Sequence, residues 1–241
     1  DKFLTEQGMA KGSMALIDEA RAAAIYDAMG PATEISGGSA ANTIAGVANL
    51  GARAAFVGKV RNDQLGNVFS HDIRAAGVAF DTQAASTGPA TARCYVLVSP
   101  DGERTMHTYL GAAQDLSPAD IDPAQIAASS IVYLEGYLWD PVNAKEAFIK
   151  ASKIAHENKR SVALTLSDAF CVGRYRDEFL DLIRSKTVDL VFANEAELTS
   201  LYQTEDFDKA LAQFRSDATL GVVTRSEKGC VVVAKDKVTP V

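Results

Sequence analysis

The segment Glu34–Gly77, EISGGSAANTIAGVANLGARAAFVGKVRNDQLGNVFSHDIRAAG, decides the fold of this chain. Near its start is the pair Gly37-Gly38, which is followed by Ser39 and by small and apolar residues at helical spacing. This pattern predicts a glycine loop that leads into a helix with Ser39 as its N-cap. Two glycines let the backbone come close to a ligand, and the free N–H groups of a helix start favour oxygen-rich or anionic groups.

Asn42 lies one turn into this predicted helix. Its amide both donates and accepts hydrogen bonds, which suits adjacent hydroxyls on a ligand. Taken alone, the glycine pair and Ser39 are more typical of an ordinary tight turn with a helix cap. The segment is distinctive because it continues into a strand-like run at Ala54–Gly58, a polar turn and a second helix that opens at Gln64.

Composition and charge limit what the protein binds. The chain has 241 residues, 47% of them hydrophobic, which is enough for a substantial core in one main domain with a small appendage. A net charge of −7 leaves no basic surface for nucleic acid or an anionic membrane, and no apolar run is long enough to span a bilayer. The scattered cysteines Cys94, Cys171 and Cys230 show no metal spacing and suit reduced thiols in the cytoplasm.

The region before residue 117 predicts one helix and one hairpin. Ser13–Met29 has helical spacing and is followed by a Gly-Pro stop. Alternating residues in Thr91–Val98 and Glu103–Tyr109 flank Ser99–Gly102, whose Asp-Gly pair is typical of a hairpin turn. The hairpin fits a separate small sheet that acts as a lid, contributed by about residues 80–110, and it equally fits an edge of the main sheet.

Ser117 is predicted to cap a helix that has proline at its first position. After this point, strands and helices alternate along the chain. The predicted strands are Ile131–Leu134, Ser161–Leu166, Val188–Ala193, Leu220–Thr224 and Cys230–Ala234, and the predicted helices are Pro141–Asn158, Tyr175–Ser185, Glu195–Tyr202 and Phe207–Ser216. This alternation predicts an α/β fold with a doubly wound, mainly parallel sheet. Ligands bind such sheets beyond the carboxyl ends of the strands.

Four places near strand ends carry polar or aromatic side chains, and each has an ordinary structural interpretation. Asn194 and Glu197 have capping-box spacing, and the Thr224–Gly229 segment is typical of a hairpin turn. Arg104, in the hairpin, has the position of an ordinary solvated charge. Tyr137 follows a strand and could stack on a flat base, although tyrosines are also frequent in cores.

The string that begins at Gly37 and ends after Gly77 resembles the N-terminal signature of the ribokinase-like (PfkB) sugar and nucleoside kinases. The resemblance implies a three-layer ribokinase-like fold over residues 1–241 as a single domain with a small β-sheet lid. It also implies that Gly37, Gly38, Ser39 and Asn42 grip the hydroxyls of the phosphate acceptor, and that Asn194 and Glu197 hold Mg²⁺ near the phosphates. The match in Glu135–Tyr137, Thr165–Phe170 and Arg104 is closest to the adenosine kinase branch.

The resemblance implies further roles in phosphoryl transfer. Arg104 would lie over the transferring phosphate and neutralise its developing charge. Thr224 and Gly229 match the family's turn at the ATP site, whereas Ser226 stands where glycine is usual. The family's Gly-Ala-Gly-Asp loop, whose Asp is the general base, is not in the sequence. We therefore expect either a longer native protein or an inactive fragment.

The expected activity is transfer of the terminal phosphoryl group of ATP, with Mg²⁺, to a primary hydroxyl of a nucleoside such as adenosine. A kinase for free sugars and a binding protein without catalysis are the alternatives. The expected partners are small molecules, without nucleic acid or membrane, in the cytoplasm. The resemblance also leaves a homodimer open.

Overall fold

The computed structural model describes residues 1–235 and 237–241. The chain divides into two compact units, Asp1–Leu116 and Ser117–Val241. Each unit has its own β-sheet structure, and the prediction of a single domain over 1–241 stays a prediction.

The first unit contains two small sheets. Its elements are α1 (Lys2–Glu6), β1 (Met14–Leu16), α2 (Glu19–Ala28), α3 (Ser39–Asn49), β2 (Ala54–Ala55), α4 (Gln64–Ala75), β3 (Val78–Ala79), β4 (Arg93–Val98) and β5 (Arg104–Tyr109). β2 and β3, which precede and follow α4 in the chain, pair in parallel. β1, β5 and β4 form a separate three-stranded sheet. The predicted strand at Ala54–Gly58 is therefore shortened to its first two residues.

The predicted hairpin is confirmed. β4 and β5 pair antiparallel from Arg93 opposite Tyr109 to Val98 opposite Arg104, and Gly102 in the turn has a φ of +83°. The hairpin belongs to the three-stranded sheet and does not extend the six-stranded sheet of the second unit, which decides between the two sequence interpretations. A lid function of this sheet stays a prediction.

The predicted helix Ser13–Met29 is wrong in its first half. Met14–Leu16 forms β1, which pairs in parallel with β5, and α2 starts only at Glu19. Asp18 caps α2 by accepting a hydrogen bond from the Arg21 N–H at 2.7 Å. The helical spacing of the apolar residues was real, but pairing with β5 satisfies this backbone better than helix formation does.

Two apolar clusters hold the first unit together. α1 and α2 pack with residues of the three-stranded sheet in a cluster whose buried members are Leu4, Met9, Ala22, Ile25, Tyr95 and Tyr109. The second cluster lies around α3 and α4 and includes three phenylalanine rings, Phe56, Phe69 and Phe80, with centroids 5.6 to 5.8 Å apart. Aromatic contacts at these distances add to the burial of apolar area.

The second unit is built on a six-stranded sheet. Its strands are β6 (Ile131–Glu135), β7 (Ser161–Thr165), β8 (Leu190–Asn194), β9 (Leu220–Thr224), β10 (Cys230–Ala234) and β11 (Lys237–Pro240), and its helices are α5 (Pro123–Ala128), α6 (Val142–Glu157), α7 (Ala169–Arg184), α8 (Glu195–Tyr202) and α9 (Phe207–Asp217). The strand order is β11-β10-β9-β8-β7-β6, parallel from β6 to β9 and antiparallel at β10 and β11.

The strand β7, which lies between β6 and β8 in this sheet, is buried on both faces. Val162, Ala163 and Leu164 are consecutive in β7 and are all at most 2% exposed. Successive strand residues point to opposite faces, so both faces of the sheet are covered at this strand. The predicted α/β fold with a mainly parallel sheet is confirmed.

Several element boundaries differ from the prediction for local reasons. α7 begins six residues before the predicted Tyr175, because Asp168 caps it through the Cys171 N–H, and Tyr175 is instead a kink with φ −121° and ψ 26°. The predicted helix after Ser117 is a single 3₁₀ turn, Pro118–Asp120, with its capping box present. β8 begins at Leu190, and β11 was not predicted.

Among the described residues, no helix combines the length and the apolar character that crossing a membrane requires.

His107 on β5 is a buried polar residue in the first unit. It is 7% exposed, and within the described ranges its Nδ1 has no hydrogen-bond partner. Burial lowers the pKa of the imidazole, and the positive charge of Arg21 lowers it further. The folded state therefore favours the neutral imidazole.

We predict that this residue makes folding stability depend on pH. The unfolded chain binds a proton at His107 at about pH 6.5 and the folded chain only at lower pH, so stability is full above that pH and falls as the pH decreases. Melting temperatures measured between about pH 7 and pH 5 should show this fall in the wild type and a flatter curve in His107→Gln. His71→Gln, whose side chain is 80% exposed in the wild type, is the control, and parallel curves for wild type and His107→Gln would contradict the prediction.

Candidate functional site

The glycine loop of the first unit leads directly into α3. Gly38 has φ 112° and ψ 142°, a backbone conformation that is essentially confined to glycine. The Asn42 N–H donates to the Gly38 carbonyl at 2.8 Å, which makes Gly38 the N-cap. The prediction that Ser39 is the N-cap is wrong by one residue, because the loop enters the helix through a conformation that serine avoids.

Asn42 lies on the first turn of α3 and is exposed, as are Gly37, Gly38 and Ser39. A Cβ built on Gly37 would lie 4.0 Å from Asn42 Oδ1, so the amide lies next to the loop backbone. In the part of the chain that the structure describes, the Asn42 amide makes no hydrogen bond. The four predicted acceptor residues thus form one exposed polar surface with an amide available to a ligand.

Two side-chain hydrogen bonds hold the segment that enters this loop. Ser36 Oγ donates to Asp72 Oδ2 on α4 at 2.6 Å, and Tyr26 Oη donates to Glu34 Oε1 at 2.6 Å. The Ser36 hydroxyl, followed by His71, lowers the pKa of Asp72. The partners are 8 and 36 positions apart, outside the range of helix and turn patterns, so the sequence offered no signal for either contact.

Arg104 is the first residue of β5 and lies opposite Val98. Its side chain is exposed, and the described residues offer it no hydrogen bond or ion pair. This position agrees with an ordinary solvated charge as well as with a group that waits for a phosphate, so its role stays a prediction.

In the second unit, parallel pairing brings strand ends together. Glu135 pairs with Thr165 at the ends of β6 and β7, and Asn194 pairs with Thr224 at the ends of β8 and β9. The carboxyl ends of four strands therefore form one edge of the sheet. The predicted residues Tyr137, Asn194, Glu197 and Thr224 all lie at this edge or within three residues of it.

Ser167 connects the end of β6 to the loop after β7. Its φ is +72°, a left-handed conformation that is strained for a residue other than glycine. Its Oγ donates to Glu135 Oε1 at 3.1 Å and accepts the Tyr137 N–H at 3.2 Å. Gly136 permits this contact, because a Cβ there would lie 2.7 Å from the Thr165 carbonyl oxygen.

Tyr137 is held from both ends while its ring stays accessible. In addition to the backbone bond, its Oη donates to the Ser167 carbonyl at 3.3 Å, and the residue is 38% exposed. Burial, followed by the charge of Asp168, raises the pKa of the phenol, so the ring stays neutral at physiological pH. A fixed, neutral and accessible ring can stack on a planar group.

Asn194 and Glu197 form the predicted capping box of α8, and this part of the prediction is confirmed. Asn194 Oδ1 accepts the Glu197 N–H at 2.8 Å, and Glu197 accepts from the Asn194 N–H at 3.0 Å and from Nδ2 at 2.7 Å. Glu197 is only 4% exposed. Burial raises the pKa of its carboxyl, the Asn194 N–H opposes this, and the charges of Asp168 and Glu135 raise it further.

The predicted role of Glu197 in holding Mg²⁺ stays a prediction. Both Glu197 oxygens already accept from Asn194, and nowhere in residues 1–235 and 237–241 do three Asp, Glu, His or Cys side chains come close enough to enclose a metal ion. Mg²⁺ typically retains several waters and needs one or two carboxylates. A magnesium ion at Glu197 would therefore act through its water ligands.

The turn Thr224–Gly229 joins β9 to β10. Thr224 is exposed, the Arg225 N–H donates to the Gly229 carbonyl at 2.8 Å, and Gly229 has a φ of +77°. Ser226 has a φ of +51°. Glycine adopts this left-handed conformation more readily than serine does.

Three residues that sequence reasoning did not select belong to this edge. Ser167 bridges Glu135 and Tyr137, Arg225 carries an ion pair to the start of α8, and Phe170 is 70% exposed with the Arg174 guanidinium 4.5 Å from its ring centroid. All three follow a buried strand within five residues, which was the one usable signal in the sequence. The contacts of Ser167 and Arg225 depend on backbone dihedrals and distant partners.

A mainly parallel doubly wound sheet with polar residues at its carboxyl edge, together with a separate three-stranded sheet, defines a ribokinase-like α/β protein. Residues 26–241 match the model described as pfkB family carbohydrate kinase. The chain belongs to the PfkB family.

Solved structures and curated proteins agree with this assignment. The adenosine kinase from Sinorhizobium meliloti is 55% identical with a TM-score of 0.94, and the match covers 100% of this chain and 74% of that one. A probable sugar kinase from Rhizobium etli is 51% identical with a TM-score of 0.94, covering 100% and 73%. A probable fructokinase from Arabidopsis thaliana is 26% identical over 200 residues, 80% of this chain, and the match spans 61% of that relative's length.

We predict that the Ser167 hydroxyl stabilises the fold and that the left-handed backbone of Ser167 destabilises it. Ser167→Ala loses the hydrogen bonds and keeps the left-handed strain, so the free energy of unfolding should fall by about 1–3 kcal/mol in chemical denaturation. Ser167→Gly loses the same bonds without the strain, so its free energy of unfolding should fall by about 1 kcal/mol less. Lys159, exposed with a φ of +58°, provides an Ala and Gly pair that measures the strain alone. Equal stability of the two Ser167 variants would contradict this account.

Proposed function

We propose that the protein is an ATP- and magnesium-dependent kinase that transfers the terminal phosphoryl group to a primary hydroxyl of a nucleoside, with adenosine as the first candidate. The observation that carries this proposal is the similarity over the whole chain to an adenosine kinase at 55% identity. One feature of each unit supports it separately: the exposed Asn42 amide can bind adjacent hydroxyls, and the accessible Tyr137 ring can stack on a flat base.

The first unit would bind the acceptor hydroxyls. The Gly37–Gly38 backbone, Ser39 and the Asn42 amide offer donors and acceptors on one exposed surface. Arg104 would neutralise charge on the transferring phosphate, as its planar fork of N–H groups matches phosphate oxygens. A lid function of the β4–β5 hairpin, a homodimer and a cytoplasmic location also remain proposals.

The second unit would supply base stacking and the nucleotide edge. Tyr137 would stack on the base, Thr224 and Gly229 would border ATP, and Asn194 and Glu197 would hold magnesium through its waters. When bound, magnesium supplies neutralisation of the phosphate charge. Positioning and charge neutralisation account for most catalysis in phosphoryl transfer. We assign no general base, since the sequence Gly-Ala-Gly-Asp does not occur in these 241 residues.

A kinase for free sugars is the second candidate. The fructokinase similarity and the 51% identity to a probable sugar kinase favour it. The two candidates differ at the base, because only a nucleoside gives the Tyr137 ring a planar group to contact.

An assay of the full-length gene product with radiolabelled ATP, run over adenosine, other nucleosides, ribose and fructose, separates the candidates. We expect label transfer to adenosine that requires Mg²⁺. Transfer to ribose or fructose alone would favour the sugar kinase. Binding of adenosine in calorimetry without transfer to any acceptor would instead identify a binding protein.

We predict that Asn42→Ala weakens adenosine binding without weakening the fold. Loss of the amide leaves ligand hydroxyls unpaired at about 1–3 kcal/mol, which corresponds to a roughly ten- to hundredfold higher Kd in calorimetric titration. The melting temperature should change little, because Asn42 is exposed and Gly38 is the cap. Asn49→Ala, an exposed asparagine at the other end of α3, is the control. An unchanged Kd, or a fall in melting temperature that accounts for lost binding, would give Asn42 a structural role.

A further inference from the structure

Arg225 makes two side-chain contacts beside the turn Thr224–Gly229. Its Nε donates to Glu195 Oε2 at 2.9 Å, in an ion pair that lowers the pKa of Glu195. Its guanidinium carbon lies 3.8 Å from the ring centroid of Phe207. A guanidinium at this distance from an aromatic face makes a favourable cation–π contact.

These contacts tie three elements together at the carboxyl edge of the sheet. Asn194 and Thr224 are paired at the ends of β8 and β9, so Glu195 and Arg225 are the first residues after these two neighbouring strand ends. Phe207 is the first residue of α9 and is 9% exposed. The Arg225 side chain therefore connects the turn to the first residues of α8 and α9.

The turn requires such a connection because its backbone is strained. Ser226, directly after Arg225, has a φ of +51°, and this conformation costs a residue other than glycine about 1–2 kcal/mol. The Arg225 N–H also bonds to the Gly229 carbonyl at 2.8 Å, which closes the turn. Arg225 thus contributes a side-chain anchor and a backbone bond to this turn, alongside the Lys228 N–H, which donates to the Arg225 carbonyl at 3.0 Å.

We propose that Arg225 is a positioning residue for the nucleotide: it holds the Thr224–Gly229 turn in the shape that borders ATP. The inference rests on the proposed function, which assigns Thr224 and Gly229 to the ATP site. Arg225 acts through the turn and through Glu195 and needs no contact with the phosphates.

A purely structural role gives a different result from a positioning role. The ion pair is partly exposed, with 24% and 37% of the two side chains accessible, so it contributes little to global stability. A positioning residue instead reduces the entropic cost of ordering the turn when the nucleotide binds. Its loss raises the Kd for ATP and leaves the Kd for the acceptor unchanged.

The test compares ATP and adenosine binding in the purified protein by calorimetry with Mg²⁺ present, alongside melting temperatures. Arg225→Gln should raise the Kd for ATP by about three- to tenfold, the size expected from one partly exposed ion pair with a cation–π contact, with adenosine binding within about twofold of wild type. Arg225→Lys should be intermediate, as lysine pairs with Glu195 but lacks the planar stack. Arg215→Gln, an arginine on α9 that bonds to the Lys235 carbonyl, is the matched control.

A double-mutant cycle with Glu195→Gln completes the test. The double variant should bind ATP about as weakly as Arg225→Gln alone, because both changes remove the same ion pair. An unchanged Kd for ATP in Arg225→Gln, additive effects in the cycle, or equal weakening of ATP and adenosine binding would overturn the inference. A wild-type protein that binds no ATP would overturn the proposed function as well, whereas wild-type binding with an unaffected Arg225→Gln overturns the positioning role alone.

Discussion

Parallel hydrogen bonding between β6, β7, β8 and β9 is the constraint on which the rest of the second unit depends. It aligns Glu135 with Thr165 and Asn194 with Thr224, so that four strand ends share one edge. Each strand is followed at that edge by a loop or a helix start, where backbone groups and capping side chains are concentrated. The candidate nucleotide residues Asn194 and Thr224 are neighbours because of this register, although they are 30 positions apart in the chain.

The same edge concentrates backbone strain, and side chains stabilise it. Ser167 and Ser226 both have positive φ, and each follows a strand by two residues. A hydroxyl bridge to Glu135 and Tyr137 holds the first, and the neighbouring ion pair of Arg225 holds the second. In the first unit, Gly38 reaches an extreme conformation without such support because it has no Cβ. Strained residues with dedicated partners are typical of functional loops.

Electrostatics at the edge favours a cation over an anion. Glu135 and Asp168 both raise the pKa of Glu197, on top of its burial, which means that negative charges are held near one another. The Asn194 donors partly offset this repulsion. In the proposed function, a cation that retains its waters would reduce the repulsion further and would attract phosphate groups to this edge.

Local patterns in the sequence determined the elements whose signals lie within a few residues. The Asp-Gly hairpin, the Asn194–Glu197 capping box and the strands Leu220–Thr224 and Cys230–Ala234 agree with the structure because turn geometry, caps and β-branched runs are short-range properties. The family resemblance, a long ordered string, indicated the fold and the family.

Only tertiary structure decided the features that need distant partners. Met14–Leu16 is a strand because β5 lies beside it, and α3 is capped by Gly38 because the loop reaches it with φ 112°. The left-handed serines and the contacts of Arg225 with Glu195 and Phe207 depend on register and packing over about 20 to 30 residues of sequence, where local propensity carries no information. Periodicity and capping signals in this sequence thus determined which elements form, and strand pairing determined which side chains meet at the edge of the sheet.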